Sequence, residues 1–200
     1  GDFTFAPDGT KSADKLVETT ATDLHHVSSS SQVFTSGVTY TFSVYAKAST
    51  RNVLQIVPPA GAFPVAFANF NLNAGTIGSQ SGALSVSIIS AGNGWYRCSL
   101  TLSAISSTSS HAYFLLEPSD TSPRADAYTG DGYSGIYIWG AQLEANSASA
   151  SSYVATTGTT AARDYDNAVM TGSNFSSWYN QEEGSVYSEV RMDQKPLSGY

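Results

Sequence analysis

Between residues 16 and 153 the chain is a succession of short alternating runs separated by Gly, Asn and Ser turns. The clearest spans residues 40–47. Tyr40, Phe42, Val44 and Ala46 share one parity, and Thr41, Ser43, Tyr45 and Lys47 the other. A period of two belongs to a strand with one face buried, because successive side chains point to opposite faces of a sheet. Residues 52–57 follow, ended by Pro58-Pro59, and then residues 65–72, ended by Asn73-Ala74-Gly75. Residues 83–90 run into Ala91-Gly92-Asn93-Gly94, where the Asn-Gly pair predicts a tight turn because both residues tolerate positive φ. The returning strand covers 95–102, with Tyr96, Cys98, Leu100 and Leu102 on its apolar face and Trp95, Arg97, Ser99 and Thr101 opposite. Residues 111–117 and 136–144 read as two more strands, with a polar loop between Pro118 and Gly135. Strands at this spacing, with no helical period between them, predict an all-β fold, an antiparallel β-sandwich of jelly-roll type.

The pattern changes after the last long strand. Residues 146–162 are rich in Ser, Ala and Thr and predict a final extended segment around Tyr153-Val154 followed by a linker. Residues 164–200 differ again, with Asn174-Phe175-Ser176-Ser177-Trp178-Tyr179-Asn180 and a strand-like stretch over 185–192. The organisation expected is a sandwich over 1–160 and a linker with a strand-like tail over 161–200, in which Trp178 and Tyr179 are docking residues.

Composition supports strands and narrows the partners. Of 200 residues, 41% are hydrophobic and only 12% charged, about half the usual share. The formal net charge of −7 and the pI near 4.7 repel phosphate backbones, and no Lys/Arg cluster offsets them. Nucleic acid and anionic membrane surfaces are therefore disfavoured, whereas a neutral glycan is not. No apolar run is long enough to span a bilayer, and the N-terminus lacks the basic start and apolar stretch of a signal peptide. Export is expected by another route or from sequence absent here, and release of a virus particle by lysis satisfies that. Cys98 is the only cysteine, so it forms no intramolecular disulfide and reads as a small buried hydrophobe.

Catalytic chemistry is hard to assemble from this chain. Glu117, Asp120, Asp126, Asp131 and Glu144 supply carboxylates, but none forms a recognisable pair, and Asp120, Asp126 and Asp131 read as solvated loop groups. Nucleophile elbow, phosphate loop and zinc spacing are all missing, so no enzyme is expected. His25 and His26 are adjacent on a strand and point to opposite faces, which favours packing or surface roles over metal ligation.

Sugar binding needs an aromatic platform and a few directed polar groups. Strand parity offers one set. Tyr45 and Lys47, Trp95 and Arg97, and Gln142 all lie opposite the apolar side of their strands, and would converge if the strands share a sheet. The competing expectation is that Trp95 covers the sandwich edge and Arg97 pairs with a carboxylate. Tyr137 and Trp139 share parity with Ala141 and Leu143 and read as core.

Four segments in order resemble a known family. They are Pro7-Asp8-Gly9-Thr10 with Ala13-Asp14-Lys15-Leu16, residues 40–47, Gly92-Asn93-Gly94-Trp95-Tyr96-Arg97, and Tyr128-Thr129-Gly130-Asp131-Gly132 with residues 138–144. Together they resemble the carbohydrate-binding-module-like domains of bacteriophage tail fibre, head spike and related virion proteins. The tail after Arg163 resembles the opening of a concanavalin-like or laminin-G-like domain. The resemblance implies a galactose-binding-like jelly roll that recognises a polysaccharide or cell-surface glycan at an extracellular or virion surface. The alternative is a ligand-free spacer or oligomerising element of a fibre, motivated by the strand-like run at 185–192. Sandwich modules of this kind often carry a structural calcium ion near the chain ends. Related modules place a carboxylate in the last strand, where Tyr137-Ile138-Trp139-Gly140-Ala141 has none. Asp8 and Asp14 remain as oxygen donors, and no cofactor is expected.

Overall fold

The alternating runs become strands that pair antiparallel throughout the described part of this computed structural model, residues 4–156 and 159–162. The first four are short: β1 (Asp14–Val17), β2 (Thr22–Asp23), β3 (His25–Ser28) and β4 (Gln32–Phe34). Next come β5 (Thr39–Lys47), β6 (Val53–Val57), β7 (Phe67–Asn71), β8 (Thr76–Ser81), β9 (Ser85–Gly92) and β10 (Trp95–Ser103). The last are β11 (Thr108–Ser110), β12 (Tyr113–Leu116), β13 (Tyr128–Thr129) and β14 (Gly135–Ala145). No helix occurs among the described residues. The Asn-Gly turn joins β9 to β10 as expected, with φ of 53° at Asn93 and 79° at Gly94. Positive φ at both central residues matches the right-handed twist of a hairpin.

Two five-stranded sheets result, in the orders β1-β14-β5-β10-β9 and β3-β12-β6-β7-β8, together with the ribbons β4–β11 and β2–β13. Their inner faces make one core. Phe42, Val44 and Ala46 of β5 and Cys98, Leu100 and Leu102 of β10 meet Leu54 and Ile56 of β6, Phe70 of β7 and Leu116 of β12. The fold is thus an all-β antiparallel sandwich. Phe63, from the β6–β7 connection, stands edge-on to Phe34, Tyr40 and Phe42. Such contacts add to the roughly 1.5–3 kcal/mol that burying each large apolar side chain contributes. Cys98 is fully buried in this core, and the loss of water pushes its thiol pKa up, leaving it inert.

Two findings differ from the simple alternation. The polar parity of β5 is also buried: Thr41 and Ser43 are fully enclosed because chain segments cross the outer face of the sheet. The loop over 118–127 does the same for the second sheet. Gln55 and Asn69, both fully buried, bond to Pro123 O, Ser122 O and the Ala125 amide.

Tyr137 and Trp139 do not point into the core. Trp139 pairs with Tyr45 and Gln142 with Ser43, so two residues of β14, Gly140 and Ala141, stand opposite Val44 alone. This β-bulge, with Gly140 at φ 60°, reverses the parity of the strand. Ile136 and Ile138 face the core before it and Leu143 after it, which turns Tyr137 and Trp139 outward beside Tyr45 and Trp95.

The chain divides into two units, Gly1–Thr157 and Gly158–Tyr200. The segments 174–180 and 185–192, with Trp178 and Tyr179, lie outside the described residues.

Candidate functional site

The central strands of the first sheet bring the sequence-predicted residues together. In the β5–β10 register Lys47 faces Trp95 and Tyr45 faces Arg97, and in β5–β14 Gln142 faces Ser43. All five share the outer face. That face is covered by the chain itself. Trp95 is only 2% exposed, packs with Ala6 and Ala13, and donates from Nε1 to Phe5 O at 3.1 Å. It is a packing residue, with no ring face left for a sugar.

Among the described residues Arg97 pairs with no carboxylate; its guanidinium lies 5.2 Å over the Tyr45 ring and donates to Ser43 Oγ and to Ser151 O. Ser151 belongs to a strap over 147–154 that crosses this face without strand pairing. Thr41 Oγ1 donates to Ser147 O at 2.9 Å, the Ser151 amide donates to the Glu144 carboxylate, and the Val154 amide donates to Gln142 Oε1 at 2.9 Å. The strap needs these side chains because its own backbone finds no ladder partner.

The strap delivers Tyr153 onto Trp139, with ring centroids 4.5 Å apart. Tyr45 also packs on Trp139, with ring centroids 5.4 Å apart, and Ser12 Oγ accepts from Trp139 Nε1 at 3.0 Å. Beside this pair a cleft of about 340 Å³ opens between the sheets. Its position follows from strand lengths: β1 pairs β14 only from Gly135 to Ile138, so among the described residues that edge of β14 has no strand partner from Trp139 onward, and Trp139, Gly140 and Ala141 line the cleft with Val27 and Ser28 of β3. Ser12, Asp14, Ser28 and Ser29 bring polar groups to the cleft, and Trp139 and Tyr153 bring rings. Sequence reasoning missed Trp139 because the bulge was invisible to a parity count. The signal available was the glycine immediately after it.

The remaining candidates are structural. Glu18 is buried and accepts Arg51 Nε at 2.7 Å, Arg51 Nη2 at 2.9 Å, the Tyr128 hydroxyl and the Asp131 amide. Burial alone would raise its carboxyl pKa, but Arg51 and these donors outweigh it and hold the group below the usual carboxylate range. His25 is buried against Tyr128, accepting the Thr19 amide at Nδ1 and meeting Tyr128 O through Nε2, while His26 faces Tyr113 across the other side of β3.

The loop carboxylates are not simply solvated. Asp120 accepts Asn71 Nδ2, Asp131 accepts the Tyr133 and Ser134 amides, and Glu117 is 1% exposed, accepting the Asp126 amide. Burial pushes the Glu117 carboxyl up to about 7. No group of three or more His, Cys, Asp or Glu side chains converges to hold a metal among the described residues. Asp8 instead caps its own turn by accepting the Thr10 amide and hydroxyl. No family model matches the chain, and no curated protein matches it.

Proposed function

We propose that the sandwich is a non-catalytic carbohydrate-binding module of a virus-encoded surface protein, acting outside the cytoplasm on a polysaccharide or cell-surface glycan. The observation that carries this reading is the Trp139–Tyr153 ring pair at the mouth of a cleft of about 340 Å³ with serine hydroxyls and the Asp14 carboxylate beside it. A sugar ring offers an apolar face to an aromatic side chain and an edge of hydroxyls to serine and aspartate oxygens. A cleft of this volume suits one or two sugar units rather than a long buried chain.

Tyr45, Arg97 and Gln142 are positioning residues in this reading. Tyr45 buttresses Trp139, and the other two hold the strap that carries Tyr153. The viral setting and the galactose-binding-like jelly-roll winding are supported by the four-segment resemblance alone.

The test is a glycan array combined with affinity electrophoresis in polysaccharide gels, on the full chain and on Trp139→Ala. Binding by the parent and a loss of about tenfold or more in the variant is expected, the scale of one stacking contact. An absence of binding on both platforms overturns the reading.

A further inference from the structure

From Asn52 to Tyr96 the chain carries no Asp, Glu, Lys, Arg or His, although the whole sequence has 9 Lys and Arg and 16 Asp and Glu. This segment supplies β6, β7, β8 and β9, and the last two are the edges of the two sheets on the same side of the sandwich. The two edges differ. The edge of β8 is shielded by the loop over 118–127, where the Ser79 amide donates to Asp120 O. Among the described residues β9 pairs with β10 only.

β9 reads Ser85-Val86-Ser87-Ile88-Ile89-Ser90-Ala91-Gly92, with every residue half-buried or exposed. Lys, Pro and inward-pointing charge, which blunt natural edges, are absent from β9, and its one bulge lies at the turn end, where Ala91 is the extra residue between Ser90 and Gly92, leaving residues 85–90 in regular register with β10. Val86 and Ile88 lie at the margin of the core, only partly covered. Leu84, just before the strand, is 68% exposed.

We propose that this edge is a homodimer interface, in which β9 of a second copy pairs antiparallel with β9 across a two-fold axis and joins the two five-stranded sheets. Charge selects a second copy. At a net charge of −7, two copies repel wherever their acidic surfaces meet and can approach closely only where charge is missing. A basic partner would be drawn to the acidic surfaces instead. Geometry selects the two-fold. An antiparallel pairing of identical strands is self-complementary and closes at two, and it lets the second copy's Val86 and Ile88 cover the margin of the core.

Light scattering and sedimentation of the full chain over a concentration series test this, with an expected mass of twice 21.0 kDa. Ser87→Lys and Ile89→Lys each place a charge on the edge and should weaken dimerisation by about tenfold or more, with circular dichroism unchanged. Should either variant fail to fold, hydrogen exchange on the parent decides: protection of amides 85–92 should rise with protein concentration. A mass of one chain at every concentration, a trimer or larger ring, or a dimer indifferent to both substitutions overturns the proposal. Protection of those amides that does not vary with concentration also overturns it.

Discussion

Glu117 and Glu18 are both buried carboxyls, yet their surroundings push them in opposite directions. Glu18 has four donors around it, Arg51 among them, whereas Glu117 has the Asp126 amide on one oxygen, and its Oε2 is buried without a hydrogen-bond partner. Burial disfavours the charged form of Glu117, and the nearby Asp126 carboxylate adds to that. With its folded pKa about 7 against an ordinary 4.5, the folded state holds the proton more tightly. This contribution to stability is complete below the ordinary value and is lost as pH rises through about 7. Glu117→Gln should therefore remove a decline in stability of about 1–2 kcal/mol between mildly acid and mildly alkaline pH, after allowance for water reaching the loop. Urea unfolding of parent and variant across that range measures it; parallel pH profiles would refute it.

At the level of the element, β14 decides which aromatic rings reach the surface. Its bulge depends on Gly140, whose φ of 60° favours a residue without Cβ, and whose added Cβ would stand 3.3 Å from the rings of Tyr153 and Tyr45. Gly140→Val should cost about 1–3 kcal/mol, because a β-branched residue is strained in that region and crowds both rings. Ala141→Ser, one residue along at an exposed site of the same bulge, should change stability by no more than about 0.5 kcal/mol. Thermal unfolding of the pair, with tryptophan emission as a reporter of Trp139, separates backbone strain from general intolerance of the bulge.

For the whole molecule, one end of the sandwich is tied by the Glu18 cluster. It joins Glu18, which follows β1, to Arg51 between β5 and β6, to Tyr128 of β13 and to Asp131 between β13 and β14. Glu18 is enclosed but the Arg51 side chain keeps 29% of its surface in solvent, so Glu18→Gln should destabilise the fold by about 1–3 kcal/mol, measured by urea unfolding. Because the folded pKa of Glu18 is lowered, its contribution is present above the ordinary carboxylate value and is lost as pH falls through the folded value. Combined with Glu117, this places the stability maximum on the mildly acid side of neutrality. A maximum above about pH 8 in calorimetry would contradict the raised pKa of Glu117, and stability that does not fall as pH drops below the ordinary carboxylate value would contradict the lowered pKa of Glu18.

The sequence by itself determined the longer strands β5, β6, β7, β9, β10, β12 and β14, the Asn93-Gly94 turn and the inward parity of β5 and β10, but not the short β1–β4, β8, β11 and β13. Each depends on near neighbours along the chain: alternation on the geometry of one strand, and the turn on two residues that accept positive φ. It also placed Tyr45, Lys47, Trp95, Arg97 and Gln142 opposite the apolar side of their strands, and the pairing of β14, β5 and β10 then put them on one face. Only the tertiary structure decided what covers that face. The β14 bulge is set by register against β5, the strap is held by side chains far away in sequence, and the burial of Glu117 depends on a loop folding over a distant sheet. Such long-range contacts leave no period to read. They moved the proposed aromatic platform from Trp95, which is enclosed, to Trp139, which parity alone had assigned to the core.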